Sequence, residues 1–138
     1  MRILAIDYGE RRIGLALSDP DGIIATPLPL VPNDKNSIGR IKELVENENV
    51  EYIILGNPLR LSGKEEIQSD KVREFSKVLK EAISCPLELV DERLTTVSAS
   101  KILHNMGYSP SKSRDKIDSL AAAILLEGFL ERRYAPDN

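Results

Sequence analysis

Carboxylates from separate stretches of the chain set the chemistry it can do. Asp7 ends the strongly apolar run Arg2–Asp7, and Gly9 follows two residues later, where the backbone can turn closely enough for a phosphate or a metal ion to approach. Asp91 and Glu92 stand where the run Leu87–Val90 ends. Side chains alternate along a strand, so only one of these two reaches Asp7 if the strand continues. Asp115 and Asp118, three residues apart, share one side of the last helical segment. Asp118 borders the apolar stripe there and Asp115 lies further out. Taken singly, each acid has an ordinary explanation: a turn at a strand end, a pairing of Glu92 with Arg93 or solvent, or a first-turn acid complementing the helix dipole by ~0.3–1 kcal/mol. Gathered from three elements, they suit a hard divalent cation, Mg²⁺ or Mn²⁺, which prefers oxygen ligands. Two such ions ~3.5–4 Å apart activate water on one side of phosphorus and stabilise the leaving oxygen on the other. Hydrolysis of a nucleic-acid backbone is the natural reaction of this set. Empty of metal, the acids repel and one pKa rises.

Bringing these acids together requires strands that end along one edge. Arg2–Asp7, Ile13–Leu17 and Ile23–Thr26 are predicted as strands in adjacent hairpins; Pro27, Pro29 and Pro32 lack amide donors and make the third an edge strand or end it. Ser37 is placed as the cap of a helix carrying Ile38, Ile41, Leu44 and Val45 to about Asn49. Val50–Leu55 is a buried strand stopping at Gly56-Asn57-Pro58, with the loop Asn57–Lys64 at its C-terminal end. A helix over about Ile67–Ile83 returns the chain to the strand Leu87–Asp91. Thr95 or Thr96 can cap a helix holding Val97, Ile102, Leu103 and Met106, and a final helix from about Ser113 to Arg133 puts Ile117, Leu120, Ala121, Ile124, Leu125 and Gly128 inward. This order predicts an α/β fold, a mixed five-stranded sheet with helices on both faces. If the first and last strands are parallel neighbours, Asp91-Glu92 lies beside Asp7.

Length and composition bound the partners. With 138 residues, 41% of them hydrophobic, the chain is expected to form one domain over 1–138. No apolar run reaches the ~20 residues of a membrane span, and a charged residue at Asp7 comes too early for a signal peptide, so a cytoplasmic protein with no membrane partner is expected. Cys85, the single cysteine, reads as a small buried hydrophobe in a reducing compartment. His104 reads as an exposed surface residue and Tyr8 as packing. Nineteen Lys and Arg against 22 Asp and Glu leave a net charge of −3, so a polyanion must be met by a local patch. Arg11 and Arg12 flank the first turn, Arg60 and Lys64 the proline loop, Arg93 the acid pair, and Lys112, Arg114 and Lys116 the entrance to the last helix. These are the expected phosphate contacts, sequence-independent and salt-sensitive. Lys71, Lys77, Lys80, Arg132 and Arg133 read as scattered solubilising charge.

Four ordered motifs resemble the YqgF/RuvX family across essentially the whole chain. Asp7-Tyr8-Gly9 with Arg12-Ile13-Gly14-Leu15-Ala16 is similar to its first-strand signature, and Leu55-Gly56-Asn57-Pro58-Leu59 with Ser62-Gly63 to its glycine-proline loop. Asp91-Glu92-Arg93-Leu94-Thr95-Thr96 is the most specific match, and Ile117-Asp118-Ser119-Leu120-Ala121-Ala122 resembles the last motif. The family is described as Holliday-junction resolvases and as pre-16S rRNA nucleases. The resemblance implies an RNase H-like nuclease domain in which Asp7, Glu92 and Asp118 bind metal and catalyse, with two ions when substrate is bound. Two positions depart from the pattern: Asn57 replaces the usual Leu, and Asp115 stands where a basic or small residue is common. The spacing of Asp115 to Asp118 resembles the paired acids of RuvC-type resolvases and makes Asp115 a candidate fourth ligand. The expected partner is precursor rRNA in the small ribosomal subunit precursor. Branched DNA is the alternative substrate, and a non-catalytic ribosome-assembly factor the alternative class.

Overall fold

Continuous apolar runs become the strands of a sheet that is covered on both faces. In the computed structural model, which describes residues 1–57, 63–91 and 114–134, the strands are β1 (Ile3–Asp7), β2 (Arg12–Ser18), β3 (Ala25–Pro32), β4 (Tyr52–Asn57) and β5 (Leu87–Asp91). The helices are α1 (Ser37–Asn47), α2 (Gly63–Ala82) and α3 (Arg114–Tyr134), with only the backbone described at 57, 63–69, 91, 114–119 and 134. One mixed sheet results, in the order β3-β2-β1-β4-β5. β1 is antiparallel to β2 and parallel to β4, which is parallel to β5. The predicted five-stranded architecture is what forms. The helix expected around Val97–Met106 lies outside the described residues.

Strand alternation sorts the core into two layers. Ile3, Ala5, Ala16, Ile54 and Val90 pack against Leu120, Ala122, Ala123, Leu125, Leu126 and Leu130 of α3. Leu4, Ile6, Ile13, Leu15, Ile53 and Leu55 pack against Ile41 and Val45 of α1 and Val72, Phe75 and Leu79 of α2. Because β1 and β4 are sandwiched, their residues have no solvent-facing side on which polar groups would be tolerated.

Several local expectations shift. The third strand begins at Ala25, beyond Ile23, and continues through all three prolines to Pro32. It lies at the sheet edge, where a missing amide hydrogen sacrifices no ladder bond. Asn36, and not Ser37, is the N-cap of α1; Ser37 is buried and its hydroxyl donates to the Asp34 carbonyl at 2.8 Å. On α3, Ala122, Ala123, Leu126 and Leu130 are buried while Ala121 and Gly128 are only partly so. The inward stripe is therefore rotated from the predicted one, because α3 crosses β1, β2 and β3 and is covered along a wider arc. The first and last strands are not neighbours, since β4 lies between them. No described helix is long and apolar enough to cross a membrane.

Candidate active site

Asp7 sits at the C-terminal end of β1, opposite Gly14 of β2. Ile3 and Ala5 face α3 whereas Leu4 and Ile6 face the other layer, so alternation gives Asp7 to the α3 face, where it is partly exposed. Ile6 pairs with Leu55 and Leu55 with Leu89, so one residue further along Asp7 is level with Gly56 and Val90. Val90 also belongs to the α3 layer. Glycine at position 56 means that β4, which separates β1 from β5, puts no side chain into this row. Across two strand spacings, ~10 Å, this row thus has no side chain from the intervening strand.

One ring contact fixes which end of the sheet the C-terminal part of α3 covers. Phe129 stacks on Tyr52, at the start of β4, with ring centroids 6.0 Å apart. The C-terminal part of the helix therefore lies at the edge where β4 begins, while its main packing is on β1, β2 and β3. Position 118 is eleven residues earlier, a rise of ~16 Å, and Tyr52–Asn57 spans a similar ~16 Å of strand. The helix backbone at position 118 thus lies about three turns from Phe129, toward the other end of α3. Positions 118, 122 and 125 share one helical face, and Ala122 and Leu125 are buried against the sheet.

Among the described residues no three His, Cys, Asp or Glu side chains gather to hold a metal ion, and of the expected acids only Asp7 has its side chain described. Glu92 lies outside the described residues, as do Arg60, Arg93, Lys112 and His104. Arg11 and Arg12 are exposed beside Asp7. Lys64 lies in the first turn of α2, and Arg114 and Lys116 occupy the first turn of α3.

The turn after Asp7 is held from two other elements by residues that sequence spacing did not single out. Asn33, just past β3, donates its side-chain amide to the Gly9 carbonyl at 2.7 Å and its backbone amide to the Arg11 carbonyl at 2.9 Å. From α2, the Lys71 ammonium bonds Glu10 at 2.5 Å and holds that carboxyl below its ordinary pKa while its own rises. Lys71 is thus a tie between α2 and this turn as well as surface charge. Tyr8 packs on Phe75 with ring centroids 4.9 Å apart, as expected of a packing residue. Asn33 and Lys71 are distant from Asp7 in sequence, so no local pattern marks them.

Gly9 is required by close approach. A Cβ there would lie 2.3 Å from the Arg12 carbonyl oxygen, a backbone atom that cannot swing aside. Gly9→Ala should therefore move the turn and destabilise the protein by about 1–3 kcal/mol. Asn33→Ala, which removes one hydrogen bond without forcing a clash, should cost only about 1 kcal/mol. Urea unfolding of both variants checks the order, and an Asn33→Ala variant less stable than Gly9→Ala would contradict it.

Cys85 is partly buried against the α1/α2 layer, and this burial raises its thiol pKa. Less thiolate is present at any pH near neutrality, so alkylation by iodoacetamide at pH 8 should be slower in the native protein than in urea. Equal rates would show the thiol to be unprotected.

Comparison with known proteins agrees with this geometry. The chain is 42% identical over 139 residues to a Chloroflexus aurantiacus protein named "Putative pre-16S rRNA nuclease", covering 99% of this chain and 90% of that one. It is 44% identical over 133 residues to the Syntrophus aciditrophicus protein of the same name, covering 95% and 89%. Its fold resembles that of T. thermophilus RuvC in complex with Holliday junction substrate, with a TM-score of 0.60 at 15% identity over 98% of this chain and 97% of the other. The mixed sheet with Asp7 at the end of its first strand is thus the RuvC-like form of the RNase H fold. With residues 1–132 matching the family described as "RuvX: Holliday junction resolvase", the chain belongs to the RuvX family.

Proposed function

We propose that the protein is a divalent-metal-dependent nuclease that hydrolyses phosphodiester bonds in 5′-end maturation of pre-16S rRNA in the cytoplasm. The observation that carries this reading is the place of Asp7 at the C-terminal end of β1, on the sheet face that α3 covers. Full-length relatives named as pre-16S rRNA nucleases support it. Asp7, Glu92 and Asp118 are the catalytic acids and metal ligands, with Asp115 as a candidate fourth; in sequence Glu92 follows Val90, which faces α3, by two residues.

The donor set fits Mg²⁺ or Mn²⁺, since every proposed ligand is a carboxylate oxygen and Asp7 keeps partial access to solvent. Bound at these acids, a pair of such ions would supply an activated water and charge neutralisation at the leaving oxygen. The chain itself has two tasks. Its acids hold negative charge at the edge of a rigid sheet, and Gly9, clamped by Asn33, lets the turn after Asp7 fold tightly against the Arg12 carbonyl. Arg11 and Arg12, exposed beside that turn, would draw and orient the phosphates together with Arg60, Lys64, Arg93, Lys112, Arg114 and Lys116.

Cleavage of branched DNA is the second reading, favoured by the likeness in fold to RuvC. Incubating the protein with Mg²⁺ and either a precursor 16S 5′ end or a four-way DNA junction separates the two. The proposal expects cutting of the RNA that is lost in Glu92→Gln and Asp118→Asn, with folding retained. Preferential junction cleavage would reverse the assignment, and undiminished cutting by both variants would rule out these acids.

A further inference from the structure

The end of the molecule remote from Asp7 carries an apolar feature that catalysis does not use. Ile23 and Ile24, adjacent in the β2–β3 turn, are 69% and 63% exposed. They are held in that position by a tightly bonded turn: the Asp19 carboxylate accepts from the Ile23 and Ile24 amides at 2.6 and 2.8 Å, and the Gly22 amide donates to the Asp19 carbonyl at 3.0 Å. Gly22 has φ 69°, a conformation that favours glycine, and the Met1 ammonium donates to the Pro20 carbonyl at 2.6 Å. Two apolar side chains displayed by so constrained a backbone lose little conformational entropy on meeting a partner.

Beside them runs a groove of about 760 Å³ between this turn and the C-terminal half of α3. Ala25 and Leu130 line it with the two isoleucines, and its charged lining residues are all acidic: Asp21, Glu127 and Glu131. The carboxyl of Glu127 is pushed above its ordinary pKa by burial and then by Glu131, a strain that an incoming cation would relieve. Arg132 and Arg133 line a different groove, with Met1, Tyr52 and Glu88, on another flank of α3.

We propose that this groove docks a lysine- or arginine-rich polypeptide segment bearing aliphatic side chains. Charge decides among occupants. A nucleic acid would meet the adjacent Glu127 and Glu131 carboxylates, and a two-fold pairing of this chain through the same patch would set those acids against their own copies. A basic, aliphatic segment satisfies both the carboxylates and the isoleucines. Leu4 pairs with Leu17 and Asp7 with Gly14, so the turn beyond Ser18 lies ~17 Å along the sheet from Asp7, and the groove can be filled while the catalytic edge stays open. The biological occupant rests on the nuclease reading: polypeptides that coat RNA are rich in cations, and an enzyme trimming coated RNA gains a hold on its substrate particle from such a site. The binding itself does not depend on cleavage.

The test uses the full-length protein, a fluorescent peptide of alternating lysine and leucine, and matched glutamate-leucine and lysine-serine peptides as controls. Anisotropy should show binding of the lysine-leucine peptide alone, with amide shift changes in NMR centred on residues 22–25 and 127–131. Ile23→Ser/Ile24→Ser and Glu127→Lys/Glu131→Lys should each weaken binding about tenfold, leaving the RNA cleavage rate unchanged. Glu127→Gln/Glu131→Gln, the milder pair, should weaken it in the same direction. Binding unaffected in all the variants, shifts centred on the Asp7 edge, equal binding of the acidic peptide, or self-association abolished by the isoleucine substitutions would each overturn the proposal. A protein that binds the peptide but cuts no RNA would instead refute the nuclease reading and leave the groove intact.

Discussion

Asp7→Asn is expected to lower the rate of phosphodiester cleavage about a thousandfold while the protein stays folded. Asparagine keeps the size of aspartate and one acceptor oxygen, so the strand register to Gly14 and the turn through Gly9 need not change. What disappears is a full negative charge at the end of β1, where the proposed ions would be held. Loss of transition-state stabilisation of about 4 kcal/mol corresponds to three orders of magnitude in rate. The measurement is a single-turnover cleavage rate on precursor rRNA in Mg²⁺, paired with thermal unfolding. If the variant folds normally and cuts at the parental rate, Asp7 has no catalytic part and the proposed site must be abandoned.

The second large effect is on stability. Leu126 is fully buried at 0% exposure in the layer between α3 and the sheet, among Ile3, Ala5, Ala16 and Ile54. Leu126→Ala removes apolar contacts and leaves a cavity in a region walled by β-strands that cannot collapse easily, which should cost about 3 kcal/mol. For a chain of this size that is a drop of about 10 °C in unfolding midpoint. The two variants should therefore fail in opposite ways: Asp7→Asn loses rate and keeps its midpoint, while Leu126→Ala loses midpoint and keeps much of its rate well below that temperature. A midpoint change of less than about 2 °C would mean that α3 is not docked through this layer.

Much of the frame was legible because it depends on local pattern. Leu87–Asp91 is found with its predicted limits, and the runs at Arg2–Asp7 and Ile13–Leu17 become β1 and β2 with ends displaced by a residue. Continuous apolar runs leave few alternatives to buried strands. Composition likewise pointed to acids at strand and helix ends, where a carboxylate is tolerated only if it is used or solvated. Asn33 and Lys71 were not legible: the first is joined to Gly9 and Arg11, and the second to Glu10, through contacts whose sequence separation carries no periodic signal.

Residue type and spacing determined that carboxylates such as Asp7 and Asp91 would stand where strands end, and that a family of nucleases shares the chain's motifs. Only the tertiary structure decided how the elements are arranged. It inserted β4 between β1 and β5 with Gly56 in the row of Asp7, laid α3 across β1, β2 and β3, and placed Ile23 and Ile24 at the far end. The reason is physical. Alternation and helical period are fixed by covalent geometry within a few residues, whereas strand order and helix direction follow from which apolar faces can be buried together, a property of the whole chain.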